Sequence, residues 1–153
     1  MEEQLEQLAV ELVNRALGKG ATAADALVHE ADDFSTALRL RKIESLKEAA
    51  SKVLGLRVFL GVRSATSFSS DFSAVSLDRL VERTIAMARV TSEDPASGLP
   101  DAALLGRHVG ELGLYSADVG ELSTDTRIDY ARRAEEAALS ADPRIKNSEG
   151  AWF

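Results

Sequence analysis

The sequence predicts an α+β domain in two layers, with about three helices packed on one face of a mostly antiparallel sheet of four to five strands. Two patterns carry this prediction. Residues 54–63 alternate, with Leu54, Leu56, Val58, Leu60 and Val62 on one face and Gly55, Arg57, Phe59, Gly61 and Arg63 on the other, the period of a strand with one packed face. Residues 2–17 place Leu5, Leu8, Ala9, Leu12, Val13, Ala16 and Leu17 at spacings of three and four, with Glu and Gln opposite, the period of an amphipathic helix. The whole order of helix, three or four strands, two helices and a strand fits such a domain.

Gly18 and Gly20 stop the first helix, since glycine readily takes the left-handed conformation that closes a helix. Residues 24–33 carry short apolar stretches and 36–43 alternate roughly, Leu38 and Leu40 against Arg39 and Arg41, so both read as strands. After the strand at 54–63, a tight turn at Arg63-Ser64 would return residues 65–70 as a further strand. Ser76 is a good N-cap for a second helix, with Leu77, Leu80, Val81, Thr84, Ile85 and Ala88 at helical spacing and an end between Val90 and Ser92. Residues 92–125 hold two of the three prolines and five of the ten glycines and read mostly as loop; a loop of that length is usually functional or marks missing architecture. A third helix spans 126–141, with Ile128, Ala131, Ala134, Ala138 and Leu139 on one side, and stops before Pro143. Ile145 to Phe153 reads as the start of another strand.

At 153 residues and 45% hydrophobic, the chain can bury one ordinary core, so a single domain over 1–153 is expected. The net charge of −7 gives phosphate contacts no general support and disfavours direct nucleic-acid binding. With no cysteine, disulfides, thiolate nucleophiles and thiolate metal ligands are excluded, which fits a reducing compartment. No apolar run approaches the roughly 20 residues that span a bilayer, and Met1-Glu2-Glu3-Gln4 is acidic where a secretory signal is basic, so no membrane partner and a cytoplasmic location are expected. The ending "NSEGAWF" puts the only tryptophan and a phenylalanine last, which predicts a fragment cut inside a larger protein.

The stretch "LVHEADDF" (27–34) begins as a zinc-peptidase helix does, but the position four after His29 is Asp33, so the second imidazole is missing from that face. The other histidine, His108, stands in a glycine-punctuated segment. His29 reads as a strand side chain, and no catalytic, metal or cofactor residue is assigned to this chain. Glu30, Asp32 and Asp33 lack the spacing and turn glycine of a calcium loop and read as a solvated strand end. Glu135 and Glu136 beside Arg132 and Arg133 read as helix-surface ion pairs, Arg132 to Glu136 being four apart.

Three segments, "LGLRVFLGVRSATSFSSDFS" (54–73), "ARVTSEDPASGLPDAALL" (88–105) and "ALSADPRIKNSEGAWF" (138–153), resemble the amino-terminal domain of the TldD/PmbA family, also called modulator of DNA gyrase. The likeness covers almost the whole chain. Asp94-Pro95, Gly98-Leu99-Pro100-Asp101 and Asn147-Ser148-Glu149-Gly150 are closer to the PmbA branch, also called TldE. The chain departs from the family at Ser64-Ala65, where members commonly have glycine after the arginine of the strand turn. The resemblance implies a longer protein. In TldD-like members a later domain carries the zinc-binding helix, with paired histidines and a glutamate, and a further ligand near the chain end; PmbA-like members lack that motif and pair with a TldD-like subunit in a complex that trims or degrades peptides. It thus implies a non-catalytic domain lining a substrate cavity, with zinc in the partner or in an absent domain. The partners implied are a TldD-like subunit, a homo-oligomer, or both, together with peptide substrates, and any effect on gyrase would be indirect. Two other readings stand beside this one: the first domain of an active TldD-like metallopeptidase, and a freestanding peptide-binding module.

Arg57, Phe59 and Arg63 share the second face of the best strand, a face suited to an extended peptide, a partner or another part of the same protein. An open edge of the same sheet would accept a peptide as an added strand. Sequence alone does not say which strand is that edge.

Overall fold

The structure, a computed structural model, describes residues 2–106 and 112–153, with Glu2 described by its backbone alone. The elements in chain order are α1 (Glu2–Gly18), β1 (Ala23–Arg39), β2 (Lys42–Leu60), β3 (Arg63–Ser69), α2 (Ala74–Val90), a 3-10 turn (Ala102–Leu104), α3 (Ala117–Glu121), α4 (Thr124–Ser140) and β4 (Ala151–Trp152). The strands form one antiparallel sheet in the order β3-β2-β1-β4, so the fold is α+β as the alternating and helical periods require. The chain divides into two compact units, Met1–Ala31 with Ser51–Arg107 and Asp32–Ala50 with His108–Phe153. The long strands β1 and β2 pass from one unit into the other.

In the first unit, the alternation of β2 does what its period dictates. Leu54, Leu56 and Val58 are wholly buried and meet Leu12 and Ala16 of α1 and Leu77, Leu80, Val81, Ile85 and Ala88 of α2. Ser73, three residues ahead of the predicted cap, holds the α2 N-terminus, its hydroxyl accepting from the Ser76 N–H. Thr84 is also buried and returns its hydroxyl to the Leu80 carbonyl at 2.6 Å, so it costs the core no unpaired polar group. The strand ends at Leu60, not at residue 63. Gly61, at φ +62°, opens a two-residue turn with Val62, and glycine at the first central position is what a II′ hairpin turn demands. The positive φ therefore falls at Gly61, and Ser64-Ala65 already lies inside β3, where glycine is not needed.

In the second unit, β1 runs unbroken where two strands were expected, because nothing between Asp33 and Thr36 interrupts an extended backbone. Leu40 and Arg41, expected within a strand, instead form a two-residue turn with φ of +50° and +66°. Both residues occupy the left-handed region that a I′ turn needs and that non-glycine residues seldom enter. Glu135 of α4 holds them there. Its carboxylate accepts the Leu40 N–H at 2.7 Å and the Arg41 N–H at 2.8 Å, and the side chain is 2% exposed. Glu135 is thus no surface residue, and α4 buries Ile128, Ala131 and Glu135 while Ala134 and Ala138 face out. Arg132 pairs with Asp129 at 3.3 Å, and Glu136 with Arg41 at 3.6 Å, in place of the expected Arg132–Glu136 pair.

Only Ala151 and Trp152 of the expected last strand pair, with Leu38 and Ala37. Reciprocal bonds of 3.1 Å between Thr36 and Phe153 extend the contact by one residue. Gly150, at φ +112°, lets the chain approach β1; a Cβ there would sit 2.7 Å from the Leu38 carbonyl oxygen. Phe153 packs edge-on to Phe34 and stacks on Tyr130, with ring centroids 6.1 and 6.0 Å apart. Leu38, Ile128 and Ala131 form this unit's small buried cluster.

Two outcomes are expected. Leu56→Ala should cost about 2–5 kcal/mol in urea unfolding, the range for a wholly buried leucine. Hydrogen bonds from the Arg41 amide, then the Leu40 amide and Ser148, hold the Glu135 carboxyl below the usual carboxylate range against the opposing pull of burial. A depressed folded pKa stabilises the fold above the unfolded pKa of about 4.3 and loses that contribution as pH falls through the folded value. Glu135→Gln should therefore lower the thermal midpoint at neutral pH, and the gap from the parent should close on acidification below about pH 4.

Candidate functional site

In the first unit the sheet face turned away from α1 and α2 is open. It is built from alternate residues of three neighbouring strands: Asp25 and Leu27 of β1, Gly55, Arg57 and Phe59 of β2, and Thr66 and Phe68 of β3, whose register sets Thr66 opposite Arg57 and Phe68 opposite Gly55. Its centre is ionic. Arg57 Nε donates to Asp25 Oδ1 at 2.9 Å and Nη2 to Oδ2 at 2.5 Å, a two-pronged pair across β1 and β2. That pairing holds the Arg57 guanidinium above its ordinary pKa. The guanidinium also lies over the Phe59 ring, 5.2 Å from its centroid, and Phe59 is 2% exposed although it belongs to this face.

Around that centre the face is apolar and exposed. Leu27 and Phe68 expose 66% and 67% of their surface. Phe68 leans over Gly55, where an added Cβ would come within 2.9 Å of its ring, so the missing side chain at 55 makes room for the aromatic. The cleft between Leu27, Gly55, Arg57, Thr66 and Phe68 can hold an apolar side chain against the Phe68 ring, with a fixed ion pair beside it. It contains no nucleophile paired with a base.

The residues singled out from sequence fare differently. Arg57 and Phe59 do share this face. Arg63 does not: with the turn at Gly61-Val62 it stands opposite Leu60, on the helix side, and its guanidinium donates to the Thr91 carbonyl at 2.5 Å and to Glu93 at 3.2 Å. The two-residue turn reverses the chain before residue 63, so the simple alternation cannot be carried past Gly61. Gly55 shares the face as its alternation with Arg57 and Phe59 predicts; Leu27 and Phe68 are additions of the structure, and only the register of β3 with β2 shows that Phe68 covers Gly55. His29, Glu30, Asp32 and Asp33 lie on β1 and are all exposed. His108 lies outside the described residues. Among the described residues no three His, Asp or Glu side chains gather as a metal-binding group, and no helix is long and apolar enough to cross a membrane.

Comparison with known sequences and structures gives the class of this α+β fold, that of metallopeptidase-related proteins. Residues 24–88 match the family model for PmbA/TldA metallopeptidase domain 1. The chain is 34% identical over 155 aligned residues to a protein named Metalloprotease PmbA homolog from Haemophilus influenzae, covering 99% of this chain and 33% of that protein. A crystal structure of a candidate modulator of DNA gyrase from Bacteroides thetaiotaomicron superposes with a TM-score of 0.78 at 26% identity, over 91% of this chain and 32% of that one. TldE from Thermococcus kodakarensis shares the fold, with a TM-score of 0.74 at 15% identity, over 89% of this chain and 30% of that one. The chain belongs to the PmbA/TldD family, as its amino-terminal domain. It spans about a third of the length of the curated relatives it matches.

Removing one partner of the central pair tests its weight. Asp25→Asn should cost under about 1 kcal/mol in urea unfolding, as for other solvent-screened pairs. Arg57→Ala should cost about 1–2 kcal/mol, because the cover over Phe59 goes with the charge.

Proposed function

We propose that this chain serves as the non-catalytic amino-terminal domain of a PmbA/TldE-like subunit in a zinc-peptidase assembly that processes or degrades peptides. The observation that supports this reading is the 34% identity to a Metalloprotease PmbA homolog along essentially the whole chain, which meets only a third of that relative. On this reading the remaining two thirds of such a protein, and a TldD-like partner subunit, supply what the domain lacks. Zinc would belong to that partner. There it would polarise the peptide carbonyl and activate water, while this domain contributes wall and surface. The first unit suits that role, since its helix-backed sheet presents an open face.

The test separates the subunit from the partner. A full-length PmbA-like protein containing this domain should by itself carry no zinc and cleave no peptide, and should co-purify with a TldD-like subunit into a complex that does both. The domain alone should bind no zinc by elemental analysis. Stoichiometric zinc on the domain that disappears in His29→Ala, or peptide cleavage by the PmbA-like protein without its partner, would overturn the assignment.

A further inference from the structure

The sheet leaves three stretches of strand without a neighbour among the described residues: the outer side of β1 ahead of its pairing with β4, the outer side of β2 ahead of Leu54, and the outer side of β3. Free strand edges invite other strands, and proteins commonly blunt them with charge. The first stretch carries Asp25, His29, Glu30, Asp32 and Asp33, and the second carries Lys42, Glu44, Lys47, Glu48 and Lys52. From Ser64 to Ser69, β3 has neither charge nor proline. Its outer groups follow from the hairpin geometry. The two-residue turn makes Leu60 and Arg63 a hydrogen-bonded pair, and the ladder then alternates, so Val58–Ala65, Leu56–Ser67 and Leu54–Ser69 are bonded too. The N–H and C=O of Ser64, Thr66 and Phe68 therefore point away from β2. The Ser64 end is screened by a neighbouring loop, with Ser97 on the Ser64 hydroxyl at 3.0 Å and Asp94 N–H on the Val62 carbonyl at 2.9 Å. Thr66 and Phe68 stay open.

The two sides of that edge agree in chemistry. On the open face stands the Phe68 ring; on the helix side stands Met87, 39% exposed, its sulfur 3.6 Å from the Ser67 hydroxyl. A strand laid along Thr66 and Phe68 would place alternate side chains against an aromatic ring and a thioether. We infer that the outer edge of β3 accepts an extended, uncharged, apolar peptide segment as an added strand, held by main-chain hydrogen bonds to Thr66 and Phe68. The class of occupant, an unfolded peptide, rests on the assembly role proposed above; the edge rests on the geometry of this unit alone.

The experiment needs no peptidase, so its failure is distinct from failure of the assembly role. The 15N-labelled chain is titrated with a blocked peptide of alternating Val and Thr around a central Phe. Amide shifts at Thr66, Phe68 and Met87 are expected, with slowed exchange of the Thr66 and Phe68 amides, and no response to the same peptide N-methylated at alternate residues. Thr66→Pro deletes an outward N–H that no ladder bond uses, at an edge position where proline is tolerated, and should weaken binding about tenfold. Thr66→Ala should bind as the parent does. If the proline variant does not fold, Phe68→Lys, which places a charge at an exposed site, should weaken binding instead. Absence of shifts, equal binding of the N-methylated peptide, or unchanged affinity in a folded Thr66→Pro or Phe68→Lys variant would overturn the proposal. So would self-association of the chain that Thr66→Pro abolishes, since that would assign the edge to a second copy.

Discussion

The period-two alternation of β2 from Leu54 to Leu60 is the constraint on which the first unit depends. With Leu54, Leu56 and Val58 committed to the core against α1 and α2, Gly55, Arg57 and Phe59 have only the other face left. That choice then propagates. The register of β3 follows from the Gly61 turn, which brings Ala65 into the core opposite Val58 and sends Thr66 and Phe68 outward. A slip of one residue would bury Arg57 and expose the leucines, so the helix-backed core and the open face are one decision seen from two sides.

What was legible in the sequence is what local periodicity records. Helices α1 and α2, the core positions Leu12, Leu77, Leu80, Val81, Ile85 and Ala88, and the packed face of β2 from Leu54 to Val58 all repeat at 3.6 or 2 residues and come out where expected, whereas Val62, expected on that face, stands in the turn and is 37% exposed. The errors share a different cause. Leu40-Arg41 carries no Asn-Gly signature, so nothing local marks a turn there. Glu135 sits among arginines on a charged helix, and no spacing rule separates a carboxylate that caps a distant turn from one that meets solvent. The Arg57 side of the candidate site was readable; the Leu27 and Phe68 side depended on strand pairing, which single-strand patterns do not specify.

A sheet face whose polar centre is already satisfied by the Asp25–Arg57 pair offers shape and apolar area. Membership of a metallopeptidase-related family carries no catalytic residue into these strands by itself, because fold and active site are separable properties.

The Glu135 contact also orders events in time. Leu40 and Arg41 are made 95 and 94 residues before the carboxylate that satisfies their amides. During synthesis from the amino terminus, the tip of the longest hairpin must emerge with those N–H groups facing water and with two side-chain-bearing residues asked to adopt a left-handed twist unaided. The nascent ribbon can zip from its flanks, but its end is sealed only when α4 has left the ribosome and folded back.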